Sequence, residues 1–373
     1  MTNIIRPTRA EINLNNLDHN LTVTKNLVGN RKVMAVVKAN AYGHGLVEIS
    51  KRLEKNSIDY LAVAFIEEAL QLRDSNIKTP ILVLGGINNE QIPLFLKNDI
   101  DITGSSIEKL KAISTSASTL NLTANVHLKI DTGMGRIGVQ WNRVDEFLKV
   151  AFSLPNINIK GVFSHFISSS HNPEFTKLQI ERFNTVLNKI FPKYAKKKNI
   201  LIHLSNSGAV ANNYKNAFFD MVRSGLMIYG YSPIPKIQDM LKPVMTFKTK
   251  VSYFKVLDKG LTVGYDGTYT TKSKTRIVTL PLGYADGYPR SLSNKGEVII
   301  RNKKYHIAGR VCMDQCMVDI GINGEAYNGD DVLLWGKDGR NVIDLWNVSK
   351  LADRSLYETL CSISKRVPRI YIP

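Results

Sequence analysis

The sequence predicts a parallel (β/α)8 barrel over residues 1–241, followed by a mostly antiparallel β domain over residues 242–373. Three observations predict it. Eight short β-branched apolar runs alternate with amphipathic stretches between Val33 and Gly230, and such alternation over about 200 residues suits a closed barrel. After Leu241 the helical stretches thin out, and short strands follow one another across Gly, Asp and Asn turns. The length of 373 residues is enough for two domains. An open doubly wound sheet shares the same alternation, because periodicity does not give strand order.

In order, the barrel runs are VMAVVK (33–38), YLAVA (60–64), PILVLGG (80–86) and IDIT (100–103), then VHLKID (126–131), KGVFSHF (160–166), LIHLSNS (201–207) and MVRSGL (221–226). Helical patterns separate them, such as LVEISKRLEK (46–55), IEEALQLRD (66–74) and FTKLQIERFNTVLNKIF (175–191), whose apolar residues recur at i, i+3, i+4 and i+7. The Ser/Thr-rich stretch 113–123 reads as a helix-to-strand loop. The β domain is built from runs at 245–257, 275–282, 297–311, 315–321 and 330–336, with one helix near 343–352.

Composition narrows the class. Hydrophobic residues make up 43% and charged residues 22%, a globular balance with ample core. No apolar run nears the ~18 residues of a membrane span, and MTNIIRPTRAEINLNNL lacks the apolar core of a secretory signal. Basic residues outnumber acidic ones 50 to 32, giving +18. The lysines are scattered, and the densest group (Lys193, Lys196, Lys197, Lys198) reads as a solvated helix end. No aromatic residues interleave with them as a nucleic-acid platform requires. The excess suits solubility or the steering of a small anion. Cys312, Cys316 and Cys361 form an odd set without zinc-ligand spacing, so no metal site is expected. A reduced, cytoplasmic chain fits.

Working residues of a barrel stand at the C-terminal ends of its strands. Here those ends carry Lys38, then Lys129, Asp131 and Arg136, then His165, Ser207 and Arg223. Lys38 closes an otherwise apolar run. A lysine there either snorkels to solvent or is desolvated, which frees its amine to form a Schiff base. His165 reads as a packed strand histidine or an acid–base group, and Arg223 as a rim ion pair or an anion ligand.

VVKANAYGHG (36–45) resembles the cofactor-lysine motif of the alanine racemases, pyridoxal 5'-phosphate (PLP) enzymes with a barrel plus a β domain. RPTRAEINLNNLDHNL (6–21), KIDTGMGRIG (129–138), VFSHF (162–166), SNSG (205–208), MVRSGLMIYG (221–230), VGYDGTY (263–269), LPLGYADGYPR (280–290), GRVCMDQCM (309–317) and YETLCSISKRVPRIY (357–371) follow in the family's order. The resemblance implies that Lys38 carries the cofactor and acts as one base, with Tyr265 as the opposing base and His165 as its proton relay. It implies that Arg223 meets the pyridine nitrogen and that Ser207, Gly225, Leu226, Tyr42 and Tyr357 hold the phosphate. Arg136 and the Met313 N–H would take the substrate carboxylate. Lys129 is carbamylated in many members and orients that arginine, although a chloride ion would serve as well. Tyr284, Arg290, Arg310 and Asp314 would line the entrance.

The same resemblance implies a homodimer with shared active sites, Lys38 of one subunit meeting Tyr265 of the other, and D-alanine supply for peptidoglycan. Racemisation of serine or another amino acid on this scaffold is the nearest alternative. A PLP-binding carrier without turnover would lack the β domain and Tyr265. Two departures stand out. SHFISSSH (164–171) lacks the acidic residue common after the sixth strand, and Lys365 replaces an aromatic before RVPR.

Overall fold

The computed structural model describes residues 6–190, 192–193 and 200–373. Lys196, Lys197 and Lys198 of the basic cluster, Phe191 of the helical pattern and the first five residues lie outside the described residues. The chain forms two compact units, one of Asn16–Ala41 with Leu46–Lys242, the other of Met1–Asn15, Tyr42–Gly45 and Pro243–Pro373.

The first unit is the barrel. Its strands are β1 (Lys32–Val36), β2 (Tyr60–Val63), β3 (Ile81–Val83), β4 (Ile102–Gly104), β5 (Ala124–Asp131), β6 (Ile157–Phe163), β7 (Leu201–His203) and β8 (Met221–Ser224). They pair in parallel as two arcs, β8-β1-β2-β3 and β4-β5-β6-β7. Single bridges close the circle at two seams, Leu82 with Asp101 and Asn206 with Arg223. Closure rules out the open sheet. Every residue of β2, β3 and β4 is buried, as strands covered on both faces require.

The helices follow their sequence patterns. Leu46–Lys55 and Ile66–Asp74 coincide with the stretches read from sequence. Pro173–Ile190 buries Thr176, Ile180, Phe183 and Leu187 at intervals of three and four. One expectation is corrected: much of 113–123 is helix, because Ile107–Thr119 runs on through it. Ser106 caps that helix by accepting from the Lys109 N–H, and Leu110, Ile113, Ser114 and Ala117 form its buried stripe. The buried Ser114 hydroxyl donates to the Pro155 carbonyl, so a polar residue there costs the helix little.

The second unit is a long sheet in which neighbours are antiparallel, except at one edge. In spatial order its strands are Tyr253–Leu257, Thr275–Leu280, Cys316–Asp319, Lys303–Ile307, Glu297–Ile300, Asp331–Asp338, Met245–Lys250, Arg9–Asn13 and Arg369–Ile372. The sequence division grouped residues 9–13 with the barrel. In the structure Arg9–Asn13 lies in the sheet, antiparallel to Met245–Lys250 and parallel to Arg369–Ile372, with Ala10 and Ile12 fully buried. Phe247 and Trp335 pack at 4.5 Å between ring centroids at the core of this unit. The expected helix is Leu345–Leu351, capped by the Asp344 carboxylate on the Trp346 N–H.

Candidate active site

On the barrel unit, strand β1 stops at Val36 and the chain turns sharply at Lys38. Ala39, Asn40, Ala41 and Tyr42 all have φ between 52° and 54°, a left-handed helical turn in L-residues that costs roughly 1–2 kcal/mol at each position. Local bonds hold it. The Ala41 N–H donates to the Val37 carbonyl at 2.8 Å, the Asn40 N–H to Glu68 at 3.2 Å, and Asn40 Oδ1 accepts from the Leu46 N–H at 2.8 Å. Backbone strain of this kind clusters at functional sites, which makes the turn beside Lys38 a candidate. Lys38 itself is half-buried.

Around it the barrel collects cations. Burial, then Arg223, Lys129, Arg136 and Lys38, hold His165 well below its ordinary 6.5, so it is neutral. Burial and the neighbouring Arg223 and Arg136 push the Lys129 amine from 10.5 to about 7, against the opposing pull of Asp131. Lys129 is 3% exposed and stands over the Phe163 ring at 5.0 Å. Asp131 is no counter-ion for the whole cluster, because its carboxylate accepts the Gly133, Met134 and Gly135 N–H groups at 2.8–3.0 Å. That turn carries the exposed Arg136. Gly138 has φ +106°, and a Cβ there would come within 2.7 Å of the Lys129 carbonyl oxygen.

Arg223 is buried, and burial with Arg136 lowers it to about 9. Its Nη1 donates to His203 Nδ1 at 3.0 Å and to the His203 carbonyl at 2.9 Å. Its Nη2 donates to the carbonyls of Ser164 (2.6 Å) and Leu204 (3.0 Å), and to His165 Nδ1 at 3.3 Å. Both terminal nitrogens are committed, and Nε–H remains for a ligand. Since arginine only donates, His165 carries its proton on Nε2.

Ser207 opens the short helix Ser207–Ala211. Its hydroxyl oxygen accepts the Gly225 N–H at 2.9 Å and the Met227 N–H at 3.4 Å, which ties the turn after β7 to that after β8, where Leu226 is buried. Ser169 of SHFISSSH braces the same turn, donating to Asn206 Oδ1 at 2.7 Å while Asn206 caps the helix.

The sheet unit holds the remaining predicted residues. Tyr265 is 69% exposed and borders a recess of about 720 Å³ with Gly264, Cys312, Met313 and Asp314. Arg310 meets Asp266 at 3.4 Å. Tyr284 and Arg290 are exposed and open separate one-turn helices, Tyr284–Asp286 and Arg290–Leu292. Tyr42 and Tyr357 pack at 5.9 Å between rings, and burial raises the Tyr42 phenol above its usual 10. Lys365 is exposed.

Sequence reasoning missed a clamp beneath this loop. Fully buried Asp286 receives Arg6 at 2.6 Å and Arg366 at 2.7 Å, and Arg366 also bonds Asp314 at 2.7 Å. It also missed His127 and His203, which with Asp101 continue the polar interior away from Arg223. The available signal was a polar residue in an apolar strand: His127 stands two places before Lys129, on the same face.

A strand-end lysine among cations, on a barrel whose rim presents the Arg223 Nε–H and the exposed Arg136, defines a barrel protein suited to an anionic ligand. Comparison with known proteins narrows that class. Residues 12–233 match the alanine racemase N-terminal domain and residues 244–371 the alanine racemase C-terminal domain. The chain is 42% identical to alanine racemase 2 of Caldanaerobacter subterraneus, covering 99% of this chain and 95% of that protein. It is also 42% identical to the alanine racemase of Carboxydothermus hydrogenoformans, covering 99% and 100%. The solved alanine racemase of Clostridium difficile superposes with a TM-score of 0.92 at 38% identity, covering 99% of this chain and 96% of that one. The chain belongs to the alanine racemase family.

Proposed function

We propose that the protein interconverts L- and D-alanine with pyridoxal 5'-phosphate held at the barrel mouth. The observation that carries this is the cluster of Lys38, Lys129, Arg136 and Arg223 around a neutral His165, which has the charge to take a phosphorylated, anionic cofactor. The residues present fit that group: Lys38 is half-buried beside His165, Arg223 keeps Nε–H uncommitted, and Ser207 with Gly225, Leu226, Tyr42 and Tyr357 would hold the phosphate. When bound through Lys38, the cofactor supplies an electron-withdrawing ring that acidifies the substrate α-hydrogen. Arg223 does not readily give up a proton, so it would leave the ring nitrogen unprotonated.

Racemisation needs one group to remove the α-proton and another to return it from the opposite face. We assign Lys38 and the partner subunit's Tyr265 to these roles. His165, tied to Arg223 through Nδ1, presents Nε2–H, which would stabilise the Tyr265 phenolate and move its proton. Arg136 supplies the cation for the substrate carboxylate, with the Met313 N–H as a second donor. A Lys129 amine near 7 is nucleophilic enough to add carbon dioxide, releasing a proton and gaining a carboxylate that would orient Arg136; chloride is the other filler. Tyr284, Arg290, Arg310 and Asp314 would line the entrance.

The proposal includes a homodimer, since the exposed Tyr265 needs an opposing barrel. It also includes D-alanine supply for peptidoglycan and a cytoplasmic location. An odd set of three cysteines, Cys312, Cys316 and Cys361, suits a reducing compartment. No helix among the described residues is long and apolar enough to cross a membrane.

The test is racemisation of L-alanine by the cofactor-loaded protein, with Lys38→Ala and Tyr265→Phe beside it. Each variant alone should be inactive. Mixed and re-paired, they should regain about half the wild-type rate per heterodimer, because one of the two shared sites is intact. Recovery without re-pairing, or none with it, sinks the shared site. A wild type that racemises only another amino acid overturns the substrate assignment.

A further inference from the structure

Arg223 is held by His203, and His203 is held in turn by groups deep in the barrel. Because a guanidinium only donates, His203 Nδ1, 3.0 Å from Arg223 Nη1, carries no hydrogen. Its proton is therefore on Nε2, which lies 2.9 Å from His127 Nδ1. His127 accepts there, so its own proton is on Nε2, 3.2 Å from Asp101 Oδ2. The file ends on a carboxylate that also receives the Tyr60 phenol at 2.9 Å and the Lys160 ammonium at 3.4 Å.

Each link has one direction only. A second proton on His127 would set its Nδ1–H against His203 Nε2–H; one on His203 would set Nδ1–H against Arg223. Both rings are fully buried. Phe163 stacks on His203 at 4.8 Å and Tyr60 meets His127 edge-on at 5.8 Å, so neither ring turns freely. Burial alone would raise the Asp101 carboxyl, but His127, Lys160 and Tyr60 hold it below its ordinary 3.8. The ionisable groups facing His203 are Arg223, His127 and Lys129. Those facing Asp101 are Lys160 and, more distantly, Arg73. Apolar side chains would fill this space at lower desolvation cost, and a fully satisfied polar file instead fixes one geometry.

We propose that Asp101, His127 and His203 form a one-way donor file that holds the Arg223 guanidinium in orientation, leaving Nε–H for the cofactor ring nitrogen. They are positioning residues, as none touches substrate. The proposal rests on the assignment of Arg223 made under the proposed function.

The first test reads the file directly, without cofactor or turnover. Nitrogen NMR of histidine-labelled wild-type protein at neutral pH, with signals assigned by His→Gln variants, should show His127 and His203 as Nε2–H tautomers. An Nδ1–H on either ring overturns the file. The second test is kinetic. Asp101→Asn should lower kcat by about 10–100-fold, as loss of an outer-shell partner commonly does, with KM for alanine within about twofold. A folded Asp101→Asn protein with unchanged kcat overturns the proposal. Should that variant not fold, Tyr60→Phe decides: a severalfold fall in kcat at constant KM supports the file, and unchanged kcat overturns it. If the wild type does not racemise alanine, the functional reading fails while the NMR result still decides the file.

Discussion

The barrel mouth and the exposed loops of the sheet unit carry their predicted residues under opposite conditions. Lys129 and Arg223 are each 3% exposed, and burial with neighbouring cations sets their acidity. Tyr265, Met313 and Tyr284 are 69%, 53% and 43% exposed; the Asp286 clamp underlies their loop, but little covers them. One region makes its own electrostatic environment. The other presents groups whose environment must be completed by whatever covers them, which under our proposal is a second barrel.

The sharpest way to break this contrast is to compare one residue from each side. Tyr265→Phe should lower kcat by about 10²–10⁴-fold, the usual worth of a positioned acid–base group, and leave the melting temperature unchanged. Arg223→Ala should lose activity and also about 3–5 kcal/mol of stability, since three backbone carbonyls and two imidazoles lose their donor. Thermal melts decide it. If Tyr265→Phe is strongly destabilised, the sheet-side residues are structural after all.

Asp286→Asn tests the clamp. Two arginines lose their buried counter-charge, and because both are partly exposed we expect about 2–3 kcal/mol of destabilisation in denaturant unfolding. KM for alanine should rise as the Met313–Asp314 loop loosens. A rise in KM without destabilisation would recast the clamp as a binding element alone.

A smaller effect comes from Lys129. Its folded value of about 7 lies below the unfolded 10.5. Between these limits the unfolded chain binds more protons, so the folded state gains stability as pH rises. In carbonate-free buffer, Lys129→Met should therefore be the more stable protein at pH 7, with the difference shrinking by pH 9. Added bicarbonate should stabilise the wild type alone; no response would favour a bound anion over the carbamate. Smallest is Ser207→Ala, which strands the Gly225 N–H and should cost about 1 kcal/mol, read as a few-fold weaker cofactor retention.

The barrel strands were legible because β-branched runs such as YLAV and ILV satisfy a strand buried on both faces. Strand Arg9–Asn13 was not placed correctly, since RAEIN alternates over only five residues and its partners begin at Met245 and Arg369. Nothing local reveals a partner so far along the chain. The turn after Lys38 was illegible for another reason: Ala-Asn-Ala has no glycine to announce positive φ, and tertiary bonds from Glu68 and Leu46 impose it. Motifs marked Lys38, Arg136, His165 and Arg223. His127 and His203 passed unnoticed, because a lone strand histidine reads as packing until its neighbour across the barrel is known.

The two seams of the barrel give the histidine file a mechanical meaning. Asp101 bridges to Leu82 at one seam, and Arg223 bridges to Asn206 at the other. Its ends are therefore anchored where the ladder is thinnest, so it acts as an internal tie-rod across the hoop. Parting either seam pulls on a charge-assisted bond at the end of the file. The amides that cross the seams, Asp101 to Ile81 and Arg223 to Ser205, should then exchange their hydrogens together, and faster together once the rod is cut.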